Sequence, residues 1–141
     1  MAISSLAQRT TNLTITQASV EYRTPSTMRP RMLEFSLIQL TAAAQSLGWG
    51  RPQAIGVTPV NVLFQMDDPG DPASVMNGSL SWATSPTVPL IFHRRWNSKA
   101  EAGEGIIWTF PRGLVIAISS AFVVWNITTA LASDVNAIAD E

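Results

Sequence analysis

The sequence predicts an all-β domain, an antiparallel β-sandwich of jelly-roll-like build carrying an extended N-terminal arm. Three observations predict it. Short apolar or alternating runs recur roughly nine times, about 8–15 residues apart, as sandwiches and barrels require. Nine prolines and eight glycines punctuate the chain, which no helical bundle would tolerate. Helical periodicity is weak: "IQLTAAAQSLG" (38–48) has room for one or two turns before Gly48.

Residues 1–30 read as the arm and 31–141 as the sandwich. In the arm, "NLTITQASVEYR" alternates from Leu13 to Tyr22, with Leu13, Ile15 and Gln17 on one face, a strand that could extend a neighbour's sheet. "RTPSTMRPR" (23–31) follows, and its prolines favour extended backbone. "RMLEFSLIQL" then sets Leu33, Phe35 and Leu37 against Glu34, Ser36 and Ile38. Further strands are expected at 60–66, 74–82, 89–96, 105–111, 113–119, 121–127 and 133–139. Residues 46–59 and 67–74 read as long connections.

Between Arg112 and Asp134 the chain has no charged residue, a length that matches a membrane helix. Its Val, Ile, Thr and Trp content and its central Ser119-Ser120 argue otherwise, as do Asn126, Thr128 and Thr129. "FPRG" before it reads as a turn. Two buried strands joined as a hairpin through Ser-Ser-Ala explain the run better than a membrane span.

Charged residues are only 13% of the chain, about half the share usual in soluble domains. Such a surface suggests cover by other protein. A net charge of −1 argues against nucleic acid as partner. The first 66 residues hold five basic against two acidic residues and the rest four against eight, a mild asymmetry suited to subunits meeting head to tail. With no cysteine there is neither disulfide nor thiolate chemistry. "MAISSLAQRTTNLTITQ" lacks the pattern of a signal peptide, so the Asn-x-Ser/Thr matches at Asn12, Asn77 and Asn126 read as chance.

Catalytic chemistry finds little to stand on. His93 is the single histidine, no nucleophile motif accompanies it, and a zinc site lacks ligands. Asp67, Asp68 and Asp71 in "DDPGDP" could attract calcium, but their order differs from a twelve-residue calcium loop and a solvated turn is the plainer reading. Glu34 with Glu101 or Glu104 could be posed as a glycosidase pair, yet nothing in the sequence brings them together. The expectation is a protein that is not an enzyme and uses no cofactor. Trp108 and Trp125, inside apolar runs, read as core. Trp49, in "LGWGRP", is the candidate interface anchor, with Arg9, Arg23, Arg29 and Arg31 as candidate contacts to an acidic partner.

Several phrases together resemble small structural proteins of tailed bacteriophages: "RMLEFSLIQLTAAAQSLGWGRPQAIGVTP", "DDPGDPAS", "SWATSPTVPLIFHRRW", "GEGIIWTFPRGLVI" and "VVWNI". They span about residues 31 to 128. The resemblance implies a virion component of all-β fold, a head-decoration (cement) protein on the outer shell. Its implied partners are the major capsid protein and further copies of itself, as a homotrimer, with no membrane or nucleic acid involved. The other class in view is a tail- or fibre-associated module recognising a host glycan. Exposed Trp or Tyr beside carboxylates would favour that class.

Overall fold

A computed structural model describes residues 2–11, 17–24, 27–128 and 131–141. Its strands are β1 (Ile3–Arg9), β2 (Ala18–Arg23), β3 (Arg31–Gln39), β4 (Ser46–Gly50), β5 (Val57–Leu63), β6 (Gln65–Met66), β7 (Asn77–Thr84), β8 (Arg94–Asn97), β9 (Gly105–Val115), β10 (Ala121–Asn126) and β11 (Ser133–Asp140). They form two antiparallel sheets, β6-β1-β11-β3-β9 and β5-β7-β2-β10-β4-β8, called A and B below. No helix occurs among the described residues.

The pairing is nested. β1 pairs with β11, β2 with β10, β3 with β9 and β4 with β8, so early strands meet late ones in mirror order. β5, β6 and β7 lie in the chain between β4 and β8, and extend the sheets beyond β2 and β1.

Alternation fixes which side of each strand faces inward. In β11, Ser133, Val135, Ala137 and Ala139 are buried while the residues between them are half-buried. In β3 the expected inward face of Phe35 and Leu37 holds. A register shift between Met32 and Glu34 then turns Met32 inward in place of Leu33. Phe122 on β10 centres the inner core, with ring centroids 4.9 Å from Trp49, 5.5 Å from Phe35, 6.2 Å from Phe110 and 6.3 Å from Tyr22.

A second core lies on the outer side of sheet B. Ala18, Ala121, Val123 and Trp125 are buried there beneath Ile55, Trp82, Val88 and Phe92. The covering segments, 51–56 and 85–93, are laced together by Gln53 N–H donating to Thr87 O (3.3 Å) and Thr87 N–H to Ala54 O (2.9 Å). β10 is therefore buried on both faces. This accounts for the charge-free run, because a strand with two dry faces cannot alternate.

Several expectations are corrected by this arrangement. Residues 3–9 and 18–23 are interior strands of the two sheets, so the described part of 1–30 is not an arm. A strand buried on both sides, as β2 is, gains more inside the domain than on a neighbour's edge. Leu13 and Ile15 lie outside the described residues. The predicted hairpin is also absent. β9 belongs to sheet A and β10 to sheet B, and the turn with Ser119 at φ 53° carries the chain between sheets. "FPRG" does not separate two strands but bulges out of the single strand β9, with Gly113 at φ 67°.

Residues 46–50, expected in a connection, form the wholly buried β4. Its glycines let the cover approach: a methyl on Gly48 would lie 2.7 Å from Phe92. The helical turn expected within 38–48 does not form. Instead the Gln39 amide nitrogen lies within hydrogen-bond distance of the carbonyls of Thr41, Ala43, Lys99 and Glu101, which share its two N–H groups, joining two loops at one end of the sandwich.

Burial pushes the phenol of Tyr22 well above its ordinary value, and no ionised partner offsets the effect. The native state thus retains this proton more strongly than the unfolded chain does. Its contribution is intact below the unfolded value of about 10 and declines as pH rises above it. Because Tyr22 is the only tyrosine, phenolate absorbance during an alkaline titration is expected to appear in step with loss of tertiary structure. Ionisation near pH 10 in a chain still folded by near-ultraviolet circular dichroism would contradict the burial.

Candidate interaction surface

The five residues singled out in the sequence lie apart. Trp49 is 3% exposed and belongs to the inner core, where it stacks on Phe122 and, at 4.9 Å, on the exposed His93. It is no surface anchor, because β4 is covered on both sides. Arg23 points beneath the cover of sheet B. Its Nε donates to Glu21 Oε2 (2.9 Å) and its Nη2 to the Gly56 carbonyl. Glu21 is fully buried and also accepts from Gly56 N–H (3.1 Å) and the Trp82 indole. That cluster fastens the covering segment to the sheet and leaves Arg23 little capacity for a partner.

Arg9 is exposed on the outer face of sheet A, with Nε 2.7 Å and Nη2 3.0 Å from the two carboxylate oxygens of Asp134 across the strand pair. The hydrogen bond and charge of Arg9 hold the Asp134 carboxyl below its ordinary range and raise Arg9 in turn. The pair's small contribution is thus present at neutral pH and fades as pH falls through the carboxylate range. Asp134→Asn is expected to remove that part of the acid dependence of Tm, and only at low salt. An unchanged Tm-against-pH curve would show that the pair contributes nothing.

Arg29 and Arg31 are exposed, and Arg31 has neighbours the sequence did not announce. Its side chain packs over Gly113, where a Cβ would lie 2.7 Å from its own Cβ, and its Nη1 is 3.5 Å from the Arg112 carbonyl oxygen. Arg51 Nη2 donates to the Val115 carbonyl (3.1 Å). Arg94 lies 5.4 Å over the Phe110 ring. Four arginines thus border the β9 bulge, at the side of the sandwich where β9 ends sheet A and β8 ends sheet B. None of them pairs with a carboxylate among the described residues. Counting charge by halves of the chain missed this edge, although "HRRW" and "FPRG" carried two of its members.

The chain matches no protein-family model, no curated protein and no solved structure.

Apolar groups accompany the arginines. Leu90 is 91% and Ile91 79% exposed, on a turn whose Ile91 carbonyl oxygen is 3.5 Å from the Cβ position of Gly50. Val115 and Ile118 are exposed as well. The acidic loop lies across the molecule, beside β6. Ser5 Oγ donates to Asp67 (2.9 Å), and Asp68 accepts from Gly70 N–H (2.8 Å), a turn-closing bond. Among the described residues no three His, Cys, Asp or Glu side chains are grouped to hold a metal ion, and no helix is long and apolar enough to cross a membrane.

Proposed function

We propose that this protein is a structural part of a tailed-phage particle, a cement protein that binds the outer head shell through the major capsid protein and associates with further copies of itself as a homotrimer. The nested pairing supports reading the sandwich as a jelly roll, an architecture that serves viral capsid and lectin domains. Between those two uses, one observation carries the choice. Tyr22, Trp49, Trp108 and Trp125 are buried, and Trp82 and Trp96 are half-buried. A glycan module needs an open aromatic platform, and here the open surface is aliphatic and arginine-bearing. Such a surface suits protein contact. The phrases spanning residues 31 to 128 that resemble head-decoration proteins point the same way.

The test is location and effect. Mass spectrometry of separated heads and tails should find the protein in heads. Heated particles lacking it should lose their genome at a lower temperature than complete ones. Presence in tails alone, or unchanged shell stability on removal, would overturn the reading.

A further inference from the structure

We propose that the arginine edge formed by β9 and the Leu90–Ile91 turn is the docking surface for the acidic β6 edge of a second copy, so that copies join head to tail into a closed ring. The contact rests on the self-association in the reading above and specifies how it is made.

The charges are laid out along one row of sheet A. At that level the register runs from Met66 through Ser4 to β11, and from Asp140 through Arg31 to Val115. Asp67 follows Met66 directly and its N–H donates to the Ile3 carbonyl (2.8 Å), which places the acidic loop at the β6 end of the row. Arg112 stands in β9 at the far end, with Arg31 beside it on β3 and Arg51 reaching from the end of β4 to the Val115 carbonyl. The ends are four strand spacings apart, roughly 19 Å. At physiological salt, where the screening length is about 8 Å, they cannot neutralise each other within one molecule. Asp67, Asp68 and Asp71 also lack a cationic partner among the described residues. Each edge therefore carries charge without an ion-pair partner, of opposite sign, although Arg31 has Asp140 as its register neighbour on β11.

Shape and apolar character agree with the charge. Beside the acidic loop is a hollow of about 260 Å³ lined by Ala2, Met28, Met66, Pro72, Ala73, Val75 and Glu141, whose carboxylate accepts from Ser4, Ser74 and Val75 N–H. Across the molecule, Leu90 and Ile91 project into solvent next to the arginine edge, so a second copy brings two aliphatic side chains to a hollow that is apolar except for Glu141. The two patches differ, so the contact is heterologous, and a heterologous contact builds a ring when its rotation closes. Charge complementarity sets the orientation and supplies the salt-sensitive attraction on which assembly depends, to which aliphatic burial adds.

The test uses purified protein and light scattering. Wild type should be oligomeric at about 0.1 M salt and dissociate at about 1 M, where the screening length falls to roughly 3 Å. R31E/R112E keeps only the acidic edge and D67K/D68K only the basic one. Each should be monomeric alone, and their mixture should associate, since each reversed edge then faces one of opposite sign. Circular dichroism establishes that both are folded, and Asp67→Asn with Asp68→Asn replaces the lysine pair if it is not. A monomeric wild type, salt-insensitive assembly, a variant that still assembles alone, or folded variants that ignore each other would overturn the proposal. Since no particle is involved, such a result leaves shell attachment untouched. Loss of shell binding would equally leave the ring intact.

Discussion

Phe122→Ala is expected to lower the unfolding free energy by about 3–5 kcal/mol, as truncation of a large buried aromatic does. Phe122 is 1% exposed, and rings from β2, β3, β4 and β9 meet on it. No single neighbour can shift to fill the space, because each is held by a different strand. A loss this large is a sizeable part of the 5–15 kcal/mol typical of a domain. Urea denaturation followed by tryptophan fluorescence reads it as a lower midpoint at unchanged slope. A change under about 1 kcal/mol would mean that the inner core is not packed as described.

Glu21→Ala is the second large expected effect, about 3–5 kcal/mol, the usual result of removing one member of a buried ion pair. The substitution strands the Arg23 guanidinium and also leaves Gly56 N–H and the Trp82 indole without their acceptor. Much of the loss is the penalty on groups left behind, so Glu21→Ala/Arg23→Ala should cost less than the sum of the single changes. The consequence is local as well. Segment 51–56 should loosen first, seen as faster amide exchange at Gly56 and a shifted Trp82 emission. Additive single and double variants would show that Glu21 and Arg23 do not act together.

The all-β class and most strand positions could be read from the chain because alternation and turn residues act locally. Phe35, Leu37 and Val135 betray their strands without reference to anything distant. What escaped was whatever depends on a remote segment. β4 hides in "SLGWG" because its glycines matter only when Phe92 and Pro89, some forty residues further on, press on them. The hairpin expected around Ser119-Ser120 failed for a related reason: a turn shows that the chain reverses, not which sheet receives it. For the candidate surface, the residue types were visible and their gathering was not. Arg31, Arg51, Arg94 and Arg112 become neighbours only through β3, β4, β8 and β9. Trp49 looked exposed among its glycines, yet its ring faces inward onto Phe122 and Phe110 from β10 and β9.

Nested pairing has a consequence for how the protein is made. β11 leaves the ribosome after every strand it must join, yet it occupies the middle of sheet A, between β1 and β3. While it is still being synthesised, those two strands have no common partner and Leu6, Met32 and Phe35 remain wet. The nascent chain therefore cannot complete the domain piece by piece in the direction of translation. It waits, with open strand edges that invite chaperones or other nascent chains, until one late insertion closes the sheet. Closure then depends on pairing residues between 94 and 137 positions apart, a slow kind of search. An early stop codon before Ser133 should yield an aggregating polypeptide rather than a smaller folded protein, since what it deletes is the centre and not the rim.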